Sequence, residues 1–511
     1  MNSTPDLDQS SASAVVKQDS IASYAAFVGY TPKPTQQVYT AYFEPVLVHS
    51  FAEFQLAFGL SDWPQQAHYY IIPSNNSGKS SYNFSFNNYQ FDAVPDPRTV
   101  YYLYNSLQLF FQNGGTAAYV VSTGSYGSPS GKPIEADEAI RNEDIKLAEL
   151  RKGFATLTTI PGIIIYCCPD ATLLSKTDYE CIVRELLEQA AQQKFCITLL
   201  DVPGGNDANS DRFTNYLSDF RMAIGNQHLQ FSAAYYPFLK TVCIKKGMIN
   251  YANLFGGEVT HLKDLLHNLA QNENISHPLL DAPFPDHDDV TTISNHSLLE
   301  INFSIYKTVT QQLLAIANIQ PASGAVAGLL MRIDKQDGPW TAPANLNLAG
   351  AVSLPINVTP EQLQQLNSTT TAGLAINAIR NYVGRGVLVW GAQTLTTASD
   401  EQRYLQVRRT VLHIERIGMN LLKSFAKASN DATTHQLLIA DFTTFLSDLY
   451  KKGALLGASA DASFKLRLNE VEFNSTPLLK ENNCLLRIEV SLVHPNEFVV
   501  IELQGAIGVE L

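Results

Sequence analysis

From residue 163 onward the chain alternates two kinds of segment: GIIIYCC, DYECIVRELLEQAAQQ, KFCITLLDVP, SDRFTNYLSDFRMAIG and FSAAYYPFLK, in that order. The short apolar runs suit buried strands, and the longer stretches carry apolar residues at helical spacing, so the order reads β-α-β-α-β. Strands joined by crossover helices are parallel, because a tight turn joins only antiparallel neighbours. The expectation is a central α/β domain over residues 150–395, built on a parallel sheet. It closes with GAVAGLLMRID, a helix over residues 375–382 and the strand VLVW, and a polar insertion at residues 245–295 interrupts it.

Val387, Leu388, Val389 and Trp390 stand between Gly384, Gly386 and Gly391, which marks a buried strand entered and left by turns. A helix follows. Thr397, Ser399 and Asp400 offer caps, and Leu405, Val411, Leu412, Ile414, Ile417, Leu421 and Leu422 fall mostly at helical spacing. Arg403, Arg408, Arg409 and Lys423 are left for its other faces, the arginines as partners for carboxylates. A second helix over residues 435–452 and the strand-like pieces FKLRLNEVEF and CLLRIEVSLVH make residues 396–496 a C-terminal α+β domain. The final run, Glu497, Phe498, Val499, Val500, Ile501, Glu502 and Leu503, is too apolar to lie free in water and shows no obvious local hairpin partner. Such an edge invites pairing with another chain, so residues 497–511 are read as a linking strand.

Ahead of the alternation, residues 1–20 are rich in Ser, Asp and Gln and read as a flexible arm. Residues 21–125 follow as a β-rich N-terminal domain containing two helices, FAEFQLAFGL and TVYYLYNSLQLFFQNGG, and the Gly-, Pro- and Ser-dense residues 125–137 are the expected border. A chain of 511 residues is too long for one core, which agrees with an α/β and α+β multidomain chain. Its formal charge of −13 argues against binding nucleic acid or an anionic membrane. No apolar run approaches the roughly 20 residues of a membrane span, so no direct membrane insertion is expected. The first twenty residues lack a signal peptide's basic start and apolar core, which points to synthesis in the cytoplasm. The six cysteines sit mostly in apolar segments without C-x-x-C spacing and suit buried, reduced thiols.

Few chemical motifs survive inspection. GKS at residues 78–80 lacks the first glycine of a phosphate loop, Pro73 standing in its place, and its flanks are loop-like. Asp286, His287, Asp288 and Asp289 could offer oxygen and imidazole ligands, but adjacent ligands on one loop rarely converge on an ion. Asp201 reads as a strand-end turn residue, and Cys167 with Cys168 as core. Ser323 in SGAVAG has no histidine or acid in a recognisable triad context, and is assigned to strand-end packing.

Four words in one order carry a resemblance: PASGAVAGLLMRIDKQDGPWTAPAN, GLAINAIRNY, VWGAQTL and RYLQVRRT. Together they resemble the contractile tail sheath proteins of phages and of bacterial contractile injection systems. AAFVGYT, PVLVHSFAEFQLAFG, LYKKGALLGASADASF and HPNEFVVIELQG are similar to the same family. Gln393 departs from it, since arginine is common there. The resemblance implies a central domain of subtilisin-like fold without hydrolysis, no cofactor, and strand-donating terminal arms. It further implies a homo-oligomer: a helical sheath polymer around an inner tube protein, with baseplate and terminator or cap proteins as partners. The particle would be a phage tail or a tail-like device, assembled in a bacterial cytoplasm and in some cases released. Tube-proximal contacts would lie in the C-terminal region, where Asp448, Lys451 and Lys452 are the candidates. Two alternatives stand beside it: a serine hydrolase using Ser323, and a baseplate component that does not polymerise.

Overall fold

The computed structural model describes residues 22–32, 41–59, 66–74, 82–86, 88–135, 138–270, 289–367, 374–396, 400–468, 483–493 and 498–506. The expectations placed on residues 1–20, on GKS, on Asp286, His287 and Asp288, on the Asp289 side chain and on Glu497 lie outside the described residues. Two compact units emerge: one comprises Tyr24–Asp337 with Thr341–Leu405, the other Met1–Ser23, Gly338–Trp340 and Gln406–Leu511.

Along the first of these run β1 (Tyr24–Thr31), β2 (Val46–Val48), β3 (Tyr69–Pro73), β4 (Asn83–Phe86), β5 (Tyr89–Pro95), β6 (Ala118–Ser125), β7 (Ile163–Cys167) and β8 (Ile197–Asp201). They are followed by β9 (Ser232–Tyr236), β10 (Leu239–Thr241), β11 (Ile319–Gln320), β12 (Leu346–Asn347), β13 (Ala351–Ser353), β14 (Asn377–Tyr382) and β15 (Gly386–Val389). Its helices are α1 (Phe51–Phe58), α2 (Tyr102–Gln112), α3 (Leu147–Thr156), α4 (Lys176–Gln193), α5 (Phe213–Ile224), α6 (Val259–Ala270), α7 (Asp289–Asn302), α8 (Ser304–Ala317), α9 (Ser323–Gln336) and α10 (Pro360–Asn367).

Nine strands form one sheet in the order β12-β15-β14-β9-β8-β7-β1-β6-β2. From β6 to β14 every neighbouring pair is parallel, as the β-α-β-α-β order demands, while β2, β15 and β12 add antiparallel margins. Helices α2 and α9 pack together against one face, and α3, α4 and α5 cover the other. A parallel sheet buried on both faces needs apolar side chains on both, and β1, β7, β8 and β9 are buried almost throughout. Helix α4 shows how the outer layer is specified. The Ser175 side chain caps it by accepting from the Asp178 N–H, and Tyr179, Ile182, Val183, Leu186, Leu187 and Ala190 form its buried stripe. The other sheets, β3-β5-β4 and β11-β10-β13, are three-stranded.

Three expectations change here. Residues 125–137 are no domain border, because β1 lies between β6 and β7 in one sheet. The composition there marks a surface return between β6 and α3, which glycine and proline serve equally well. Residues 375–382 are not a helix: Asn377–Tyr382 is β14, which forms a hairpin with β15. Alanine-bearing AINAIRNY has helical propensity, and its pairing with a β-prone partner overrides it. Lastly, Ser323 stands at the first turn of α9 rather than at a strand end. The small residues around it serve helix packing: a Cβ on Gly324 would come 2.4 Å from the Ser106 carbonyl oxygen, and one on Gly328 2.1 Å from that of Phe110, both in α2. SGAVAG therefore lets α9 lie directly on the α2 backbone.

The other unit contains α11 (Leu405–Ser424) from its second residue on, α12 (Ala432–Lys451), β16 (Phe464–Leu468), β17 (Asn483–Ser491) and β18 (Phe498–Ala506). These strands form an antiparallel sheet in chain order. Contrary to expectation, the final apolar run has a local partner: β18 pairs with β17 from Ser491↔Phe498 to Asn483↔Ala506. Val499, Ile501 and Leu503 point inward and are buried, whereas Val500, Glu502 and Gln504 point outward. Leu503 reaches α11, where a Cβ on Gly418 would lie 2.4 Å from its Cδ1. Truncating this side chain removes packing that cannot close up around it. Leu503→Ala is therefore expected to destabilise this unit by about 2–5 kcal/mol, seen as a lowered urea midpoint and faster amide exchange in β17; unchanged exchange would place β18 outside the core.

Candidate functional site

In open parallel sheets the chemically useful place is the crevice at the carboxyl ends of strands whose crossovers leave toward opposite faces. Here that place lies between β1, which leads toward α2, and β7, which leads into α4. Asp170, on the 3₁₀ turn Pro169–Leu173 that follows β7, occupies it and is fully buried. Its Oδ2 accepts the Tyr30 N–H at 2.7 Å and its Oδ1 the Leu103 N–H at 3.1 Å, while the Tyr126 hydroxyl donates to it at 2.8 Å. Burial pushes this carboxyl up to about 7, against the opposing pull of the donors. Strand β1 comes so near that a Cβ on Gly29 would stand 2.4 Å from Oδ2, so only glycine fits.

One strand over, Asp201 ends β8 and repeats the arrangement. Its Oδ1 accepts the N–H groups of Ala322 and Ser323 at 2.7 and 2.9 Å. Burial again dominates and raises it to about 6, opposed by the N–H groups of Ser323 and Ala322. The amino ends of α2 and α9, where an anionic ligand would be welcome, are thus both filled by the protein's own carboxylates. Asp201 was expected at a strand end, and it is there, but as the anchor of a helix whose first turn lies 121 residues away.

Ser323 is fully buried, and neither its Oγ nor Asp201 Oδ2 finds a partner in hydrogen-bond geometry. Among the described residues no histidine bonds to that hydroxyl, as a serine nucleophile's base would. Cys167 and Cys168 are buried, and burial raises both thiols well above their ordinary value, away from thiolate chemistry. Gln393 is pinned through its backbone, its N–H donating to Asn377 Oδ1 at 2.8 Å and its carbonyl accepting from Asn377 Nδ2 at 2.7 Å. Its side-chain oxygen is buried without a partner. Sequence reasoning missed Asp170; an aspartate just past a buried apolar run, as in CCPD, is the signal that could have found it.

In the α11–α12 unit the candidates gather at the end of α12. Lys451 in the last turn of α12 pairs with Asp448 at 3.2 Å, both exposed, and Lys452 takes the C-cap position. Arg409 and Arg416 on α11 are buried, and Arg416 binds the Ala22 carbonyl at 3.2 Å and Ser23 Oγ at 3.0 Å, which fastens the first described residues of the chain to this unit. His413 is pushed down to about 3 by burial and by Arg416, Lys452 and Arg409, and stays neutral. The outer edge of β18 pairs with no strand among the described residues. Among those residues no helix is long and apolar enough to cross a membrane.

The two raised carboxyls set a pH dependence. An unfolded aspartate titrates near about 3.9, so between about pH 4 and 7 the folded chain holds protons that the unfolded chain releases. The stability they contribute is present below that range and is lost as pH rises through about 6 and about 7. Urea midpoints of the nine-stranded unit should therefore rise as pH falls from 8 to 5, and the rise should shrink in Asp170→Asn. That variant also turns an amide NH2 toward backbone donors and should cost about 1–3 kcal/mol. A pH profile identical in wild type and variant would remove Asp170 as the source.

No protein-family model matches the chain, and no curated protein matches it. Solved structures do. The chain is similar to the PVC sheath complex of an extracellular contractile injection system in the contracted state, at 18% identity and a TM-score of 0.52, with 98% of each chain covered. It is similar to the helical sheath of the anti-feeding prophage (AFP) in the contracted state, at 20% identity, a TM-score of 0.52, and 98% and 99% coverage. A chain of the AFP baseplate in the contracted state aligns at 21% identity and a TM-score of 0.57, covering 98% of this chain and 96% of that one. Over nearly its whole length, the chain has the fold found in the sheath proteins of contractile injection systems.

Proposed function

We propose that the chain is a structural sheath subunit of a contractile, tail-like injection machine, which polymerises helically around an inner tube and shortens to drive the tube through a target envelope. The observation that carries this reading is the near end-to-end fold likeness to two contracted sheath assemblies. The filled helix termini support it, because a site plugged by its own carboxylates is a scaffold element. In this reading the central parallel sheet, with Ser323 opening α9, is a subtilisin-like layout kept for rigidity. The free energy of contraction then resides in contacts between subunits, which move as bodies about connections that persist.

Those connections are assigned to the two chain ends. Arg416 holds Ala22 and Ser23 in the unit that also carries β18. A neighbour's strand on that edge, paired alongside Val499, Val500, Ile501, Glu502 and Leu503, would add about four or five backbone hydrogen bonds at roughly 0.5–1.5 kcal/mol each. That suffices for a tether. The partners are further copies of this chain, an inner tube protein, and baseplate and terminator proteins. Residues Asp448, Lys451 and Lys452 are assigned to the tube. The likeness to a baseplate chain keeps one other reading, a baseplate component that does not polymerise.

Polymerisation decides between them. Purified chain should form hollow cylinders in negative stain, and monodisperse small particles at every salt concentration would refute the sheath reading. Ser323→Ala should leave assembly intact and shift stability by less than about 1 kcal/mol, since the hydroxyl it removes lacks a bonded partner; ester or peptide turnover by wild type that vanishes in this variant would instead establish a hydrolase. Reversing the charge of Lys451 and Lys452 should weaken copurification with the tube protein, less so at high salt, and equal recovery at all salt concentrations would move the contact elsewhere.

A further inference from the structure

The β14–β15 hairpin ends in a cluster that the fold leaves unused. Arg380 and Tyr382 alternate onto one face of β14, and Trp390 follows β15, its N–H bonded to the Ala378 carbonyl at 2.8 Å. The Tyr382 and Trp390 rings lie 5.0 Å apart at 35°. The Arg380 guanidinium stands over both, 5.1 and 5.4 Å from their centres. At the tip, Val383 is fully exposed, Gly384 turns the chain with φ 77°, and Arg385 donates to Asn345 Oδ1 at 2.8 Å. Among the described residues no carboxylate lies within ion-pair distance of Arg380 or Arg385.

This edge is also electrostatically unlike the rest of the chain. Between Asp337 and Asp400 the only acidic residue is Glu361, and the only basic ones are Arg380 and Arg385, whereas the chain as a whole carries −13. Tryptophan, tyrosine and arginine on a rigid support are the residue types that dominate interface energies. A cation stacked on two rings, with an apolar residue beside it, suits a partner surface that is acidic and has an apolar rim. With 48 acidic against 35 basic residues and a formal charge of −13, a second copy of this chain offers the acidic partner.

We propose that the hairpin tip, Arg380, Tyr382, Val383, Arg385 and Trp390, is a contact between copies of the chain that docks on an acidic surface of a second copy. The proposal rests on the sheath reading and adds to it a contact outside the unit that carries the two chain ends. Val383, fully exposed, can become Glu with wild-type circular dichroism and melting, whereas Arg380→Glu with Arg385→Glu reverses the patch, gives up the Asn345 bond and the ring contacts, and should keep wild-type circular dichroism with slightly lowered melting. Sedimentation should show that each raises the protein concentration needed for assembly by at least about tenfold, on the scale of hot-spot losses. The double reversal should lose more than Val383→Glu at low salt, and that difference should narrow at high salt. Assembly of all variants at the wild-type concentration would overturn this contact and leave the sheath reading standing. Wild-type chain that never assembles would overturn both, and variants that assemble normally but no longer bind the tube protein would give the patch to another partner.

Discussion

Everything in the larger unit hangs on two carboxylates buried at the ends of parallel strands. A sheet covered on both faces brings helix amino termini to its carboxyl edge, and those termini expose N–H groups that water cannot reach. Asp170 and Asp201 satisfy them at α2 and α9, the first from the turn after β7 and the second from the end of β8. Asp170 does more, because it also takes the N–H of Tyr30 from β1 and the hydroxyl of Tyr126 beyond β6. One side chain thereby joins four segments that are distant in sequence. Burial raises both groups, so the arrangement costs stability at neutral pH and is kept for the geometry it enforces.

That geometry fills the crevice from within. The crevice between β1 and β7 holds an internal carboxyl here, and the glycine pair on α9 seats that helix directly against α2. Ser323, which stood out in the sequence as a nucleophile without partners, stands out in the structure as a buried hydroxyl in a helix–helix seam. The rigidity that follows from such packing suits a body that must rotate or slide without deforming.

Local order was legible in the sequence, and distant pairing was not. The succession β7, α4, β8, α5, β9 follows from apolar period alone, as does the parallel sheet it implies. What period cannot show is that β1 would pass between β6 and β7, since Tyr24 pairs with Ile163 across most of the unit. Two of the misjudged segments share a cause. Residues 375–382 and the final apolar run each form a strand only through a partner hairpin arm, and neither connection carries a two-residue turn motif of the kind that marks a hairpin. Asp201 was placed at a strand end on composition, but its role depends on α9, whose approach no local pattern reveals. Lys451, Lys452 and Asp448 gather at the end of α12, and the pairing of Lys451 with Asp448 does not identify the surface they would meet.

The smaller unit follows a different logic, which makes the pairing of β18 with β17 the more informative departure. A strand that leaves its own sheet for a neighbour must abandon the packing of Val499, Ile501 and Leu503, and three buried aliphatic side chains are worth about 5–8 kcal/mol of transfer free energy. Donation on that scale is unfavourable unless the neighbour's sheet offers an equivalent groove. Adding a strand to the outer edge of β18 instead asks nothing of this core: Val500, Glu502 and Gln504 already face outward, and the backbone groups beside them are available. For the link between copies proposed above, the physical reading therefore favours one that extends an intact sheet over one that exchanges its last strand.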